Sequence, residues 1–108
     1  MNQFNEREKG FESKFAHDAE LKFKAEARRN KLLGLWAADL MGMTDSQATD
    51  YYKEVVKADF EEVGDEDVYR KIKGDLDAKG VDISEHRVRK AMEDMMREAQ
   101  QQIISESK

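Results

Sequence analysis

Between Glu20 and Gly42 the apolar positions of ELKFKAEARRNKLLGLWAADLMG recur with helical spacing. At about 100° per residue, Leu21, Ala25, Leu32, Trp36, Leu40 and Met43 fall on one stripe, which Leu33 and Leu35 widen. Lys24, Glu26, Arg29 and Lys31 are read as the opposite, wet side, so the pattern predicts an amphipathic helix with one face covered by its neighbours. Gly42 closes this helix as a C′ residue, and the next begins at Thr44, where Thr44-Asp45-Ser46-Gln47 is a capping box. Ala48, Tyr51, Tyr52, Val55, Val56 and Val63 give the second helix a buried face through about Glu62.

A third helix is expected after Gly64, with Asp65 as its N-cap and Glu66 and Asp67 in the first turn, where the helix dipole favours acids. Its stripe is Val68, Tyr69, Ile72 and Leu76, and Gly80 ends it. The last helix opens on Ser84 as N-cap, with Ile83 and Val88 placed as a hydrophobic staple, and runs on a seam of Val88, Met92, Met95, Met96, Ala99 and Ile103. Four such helices joined by short glycine-containing turns predict an all-α four-helix bundle, antiparallel or closely related in packing.

In front of the bundle stands MNQFNEREKGFESKFAHD, residues 1–18. Wound as a helix it aligns Phe4, Phe11 and Phe15 within about 40° of one another. Three phenylalanines make a thin seam, and Gly10 costs about 1 kcal/mol against alanine in a helix interior. The segment is therefore expected to be a mobile arm that becomes helical against a partner. The alternative is that its phenylalanines pack back on the domain's own core. The expected organisation is an arm at 1–18, a bundle at 19–105 and a frayed tail at 106–108.

Composition narrows the function classes. The 108 residues suffice for one domain with one modest core, and 40% charged residues, no proline and 8% aromatics are the make-up of solvated helices. No apolar run approaches the ~18 residues that span a bilayer, and no charged-then-apolar leader opens the chain, so a soluble cytoplasmic protein is expected. The absence of cysteine excludes disulfides, thiolate metal sites and a thiol nucleophile. The net charge of −5 is unevenly spread: residues 1–31 hold eight Lys or Arg against six acids, and residues 44–67 hold two Lys against nine acids. That acidic middle argues against nucleic acid as a partner.

Chemistry-bearing motifs are sparse. Asp75-Leu76-Asp77-Ala78-Lys79-Gly80 begins like a calcium loop, but Lys79 takes a ligand position and His86 stands where a bidentate glutamate should close the site. His17 and His86 fit no metal or triad spacing. Asp18 with Glu20, and Asp65 with Asp67, are read as dipole partners at helix fronts rather than catalytic pairs. GLWAADLMG lacks the lysine and hydroxyl of a phosphate loop, so Gly34 and Gly42 are read as packing and capping glycines. Met92, Met95 and Met96 are read as core filling rather than an adaptable groove. Lys22, Lys24, Arg28, Arg29 and Lys31 form the best basic cluster, either a solvated face or an anion site. An enzyme is not expected, nor is any metal or required cofactor.

Three blocks carry a resemblance. Phe4-x-x-Arg7-Glu8-x-x-Phe11-Glu12-x-Lys14-Phe15-Ala16-His17-Asp18, the stretch KFKAEARRNKLLGLWAADLMG, and VVKADFEEVGDEDVYRKI from Val55 to Ile72 resemble the bacterial F-type ATP synthase inhibitor subunit zeta family over nearly the whole chain. The resemblance implies a four-helix bundle with a mobile N-terminal arm. It also implies an inhibitor of ATP hydrolysis whose arm enters a catalytic interface of the soluble head, folds there as a helix and stalls rotation. Its partners would be the catalytic and rotor subunits, reached by a monomer in the cytoplasm that meets the membrane-bound enzyme without entering the membrane. Phe4, Phe11 and Phe15 would be the anchors, with Arg7, Lys9 and Lys14 meeting acidic or polar groups. Family members are also implied to bind ADP or ATP weakly, for which Lys24, Arg28, Arg29 and Lys31 are the candidate face. The alternative function is accordingly a small nucleotide-binding helical module with little or no inhibition.

Overall fold

A computed structural model describes residues 18–60 and 64–106. Within them lie four helices and no strand: α1 (Ala19–Leu40), α2 (Asp45–Ala58), α3 (Glu66–Ala78) and α4 (Glu85–Glu106). The all-α bundle is as the hydrophobic spacing predicts. The arm residues 1–17 and Val63 lie outside the described residues.

α1 is the central element, packed chiefly on α2 and α4. Both neighbours run antiparallel to it. Asn30 reaches Asp59 at the end of α2 while Gly34 meets Tyr52 further back along that helix. Arg28 reaches Gln102 near the end of α4, and the Arg87 guanidinium lies 5.5 Å from the Trp36 ring at its start.

The helix ends follow their local chemistry. Asp18 caps α1 by accepting from the Glu20 and Leu21 amides at 3.0 and 3.1 Å. Gly42, at φ 72°, supplies the left-handed residue that lets the Met43 amide donate to the Ala38 carbonyl and stop the helix. The Thr44 capping box forms in full, with Gln47 N to Oγ1 at 3.2 Å and Thr44 N to Oε1 at 2.9 Å. Ser84 caps α4 by accepting from the Arg87 amide. Asp65 does not act as predicted: it holds the N-cap position of α3, but its side chain makes no cap hydrogen bond and is drawn to Arg29 instead.

The buried face of α1 also differs from the expected stripe. It is formed by Ala25, Arg29, Asn30, Leu33, Gly34, Ala37 and Ala38, whereas Leu32, Leu35 and Trp36 stand half-buried at its flanks and Leu40 is exposed. Small residues face inward because α2 crosses very close. A Cβ on Gly34 would stand 2.7 Å from the Tyr52 Cβ and 2.8 Å from its Cα, inside van der Waals contact. The bulky residues are displaced sideways by the same approach.

Two apolar clusters result among the described residues. The larger joins Leu33, Val55, Val68, Ile72, Leu76 and Val88, all fully buried. The smaller sets Ala25 against Ile103 and Ile104 at the opposite end of α1. Each fully buried aliphatic side chain contributes about 2 kcal/mol, so the larger cluster supplies most of the cohesion. α3 is fastened to it by a hydrogen bond from the Tyr51 hydroxyl to Asp75 at 2.8 Å, a carboxylate that Lys71 also holds at 2.9 Å.

Candidate functional site

Between the two apolar clusters lies a polar layer. Arg29 is only 1% exposed, and its position on α1 places it between Ala25 and Leu33. Its Nε donates to Asn30 Oδ1 at 2.7 Å, and Nη2 donates to Asp65 Oδ1 at 3.0 Å and stands 3.9 Å from Asp59 Oδ2. Asn30 Nδ2 completes the layer by donating to Asp59 at 2.9 Å. A buried guanidinium is tolerated only when paired and hydrogen-bonded, and here one α1 residue holds both ends of the α2–α3 connection. Charge alone puts Arg29 with the wet residues, yet at about 100° per residue it falls on the same stripe as Ala25. Position, not residue type, is the signal that would have found it.

This burial dissolves the continuous basic face. Lys24 pairs with Glu20 at 3.2 Å, Arg28 with Gln102 and Glu106 at 2.7 and 2.9 Å, and the exposed Lys31 stands 5.4 Å from the Tyr52 ring centroid. Those three remain on the outside of α1, and Arg29 does not join them. The calcium-like stretch is likewise absorbed: Asp75 and Asp77 lie within α3, held by Tyr51 and Lys71 and by Lys73.

Two recesses lined by described residues bear on function. A cleft of about 510 Å³ opens between α3 and α4 over Arg29, and its cations have carboxylate partners. Arg89 makes a two-pronged contact with Glu66 at 2.8 and 3.2 Å, lies 4.0 Å from the Tyr69 ring, and holds the Glu66 carboxyl below its usual range. Arg97 is 3.5 Å from Asp94. The cleft is therefore electrostatically closed on itself.

The other recess, about 210 Å³, lies between α1 and the end of α2. Phe23 and Phe60 form its rim with ring centroids 6.2 Å apart, and they are 55% and 69% exposed. Glu26 and Asp59 stand in its wall, both with carboxyls pushed up by burial. Asp59 is tied to Asn30, but Glu26 has no hydrogen-bond or ion-pair partner among the described residues. Neither phenylalanine belongs to a stripe read from the sequence. An aromatic set between Lys22 and Lys24 is the signal that could have marked it.

The predicted arm residues Phe4, Arg7, Lys9, Phe11, Lys14 and Phe15 lie outside the described residues, and no helix among the described residues is long and apolar enough to cross a membrane. Compared with family models, the chain matches that of ATPase inhibitor subunit zeta over residues 1–102. A search of curated proteins finds no match. Among solved structures, one described as a solution NMR structure is 52% identical, with a TM-score of 0.71 over 80% of this chain and 98% of its own. With a family match that runs from the first residue into α4, on a bundle shared with a relative of that identity, the chain belongs to the ATPase inhibitor subunit zeta family.

Proposed function

We propose that this chain inhibits ATP hydrolysis by the F-type ATP synthase, with residues 1–18 entering a catalytic interface of the soluble head as a helix and blocking rotation against the rotor. The observation that carries this reading is the extent of the family match, which takes in the N-terminal segment as well as the bundle. Physical chemistry supports the division of labour. The bundle uses its apolar stripes on its own core, whereas the segment before Asp18 has three phenylalanines at helical spacing and too little intrinsic helix stability to hold them in register alone. Coupled folding into a groove is what such a segment suits. Replacing Phe4, Phe11 and Phe15 together by serine is expected to abolish inhibition of the head while leaving the helical circular-dichroism signal in place. Undiminished inhibition would contradict the reading.

The outer surface of α1 is the place proposed for weak ADP or ATP binding, because Lys31 is exposed and faces a tyrosine ring instead of a carboxylate. Lys24 and Arg28 flank it, and each would have to exchange a carboxylate or amide partner for phosphate. ADP should then move the NMR amide signals between Lys24 and Trp36. Signals that stay fixed at millimolar ADP contradict it.

A further inference from the structure

The recess at Phe23 and Phe60 is an apolar rim with an acidic wall at the end of the bundle where the N-terminal segment joins α1. We propose that this recess is a docking site for the chain's own residues 1–17: a phenylalanine of the segment seats between Phe23 and Phe60, and a lysine or arginine of the segment lies beside Glu26.

Three observations converge on that occupant. Size is the first. At about 210 Å³ the recess is smaller than the roughly 300 Å³ at which small-molecule pockets begin, and it suits one large side chain. Charge is the second. Glu26 is a half-buried carboxylate that makes no hydrogen bond or direct ion pair among the described residues, with Lys22 and Arg29 acting on it only at longer range, and it shares the wall with Asp59, so the recess gains from a cation and disfavours an acid. The segment offers Arg7, Lys9 and Lys14 in alternation with Glu6, Glu8 and Glu12, and of these Lys14 stands directly before Phe15, so charge favours Lys14 with Phe15 as the pair that docks.

Reach is the third. Phe23 stands about 7.5 Å along α1 from Asp18, and Glu26 about 12 Å, at 1.5 Å per helical residue. An extended chain covers about 3.3 Å per residue, so Phe15, three residues before Asp18, reaches the rim and Phe11 reaches the wall once the chain reverses. Asp18 is extended, at φ −111° and ψ 104°, and does not continue α1 backwards in line. The short tether gives the segment a high effective concentration at the recess.

The docked segment cannot at the same time occupy the enzyme. This consequence rests on the inhibitory reading above; docking itself does not. Inhibitory affinity is then lowered by the fraction of molecules with the segment docked, and releasing it raises potency.

The chain lacks cysteine, so Ser13→Cys gives one attachment point for a nitroxide in the full-length protein. A freely moving tether would broaden NMR signals on both flanks of α1, at Gln102 and Glu106 as well as at Val56 and Phe60. The proposal expects loss of most signal intensity on the Val56 and Phe60 flank only, and recovery of that intensity in Phe60→Ser and in Glu26→Lys. Equal broadening of both flanks, or losses that neither variant relieves, overturns it. Broadening in a mixture of labelled and isotope-labelled copies assigns the recess to a second copy and also overturns it. Phe60 is mostly exposed, so its serine variant keeps the fold, and potency against ATP hydrolysis should rise several-fold in it. If the flank pattern holds while no variant inhibits, docking stands and the inhibitory reading fails. If inhibition persists without the flank pattern, the reverse is true.

Discussion

Arg29 can be replaced by methionine with little change in side-chain volume, which isolates its charge from its packing. Asp59 and Asp65 would then keep their negative charges without the guanidinium between them, although Asp65 is more than half exposed and can turn to water. Breaking a buried pair from one side costs about 3–5 kcal/mol, and the exposure of Asp65 places Arg29→Met near about 3 kcal/mol. Urea denaturation should show it as a clear fall in midpoint, and an unchanged midpoint would mean that the polar layer is incidental. Glu26 makes the opposite case. Burial raises its folded-state pKa, so between the ordinary value of 4.5 and that raised value the folded chain binds more protons than the unfolded one, and the carboxylate's cost appears as pH rises. In the chain lacking residues 1–18, where no segment cation can offset that cost, Glu26→Gln is therefore expected to stabilise at neutral pH, with the gain fading as pH falls towards 4.5. A melting-temperature difference that is constant across that range would contradict the assignment. Neither residue could be read correctly from type alone: an arginine on a stripe and a glutamate under two phenylalanines are both set by what other helices bring to them.

At the scale of elements, the helices and their stops were legible because their signals are local. The Thr44 box, the Ser84 cap and the glycines at 42 and 80 act within a few residues, and each does in the fold what its spacing predicts. The face of α1 was not legible, because it depends on how near α2 comes. The Leu21–Trp36–Leu40 stripe has the larger side chains, but the approach at Gly34 selects Ala25, Leu33, Ala37 and Ala38 for the interior. Gly34→Ala tests this account. Helix propensity alone would make it stabilising by up to about 1 kcal/mol, whereas the clash with the Tyr52 backbone predicts a loss of about 2 kcal/mol. A thermal melt at higher temperature than the parent would show that α1 and α2 can part without penalty. Asp65 failed as a cap for a comparable reason, since a buried arginine competes for its carboxylate more strongly than a solvated helix start does.

For the whole molecule, periodicity and charge identify a small helical bundle preceded by an aromatic segment of mixed charge, and they name no partner. Association with the ATP synthase follows from the family, whose pattern spans residues 1–102. Among the described residues the bundle closes its own core and pairs the cations of its larger cleft, and the recess beside the segment's point of attachment holds two exposed phenylalanines next to Glu26. The most direct test is the rate of ATP hydrolysis by the soluble head of the F-type ATP synthase from the same source, measured with the full chain and with a chain lacking residues 1–18, whose helical content is checked beforehand. The account predicts strong inhibition by the full chain and none by the shortened one. Equal inhibition by both would contradict it.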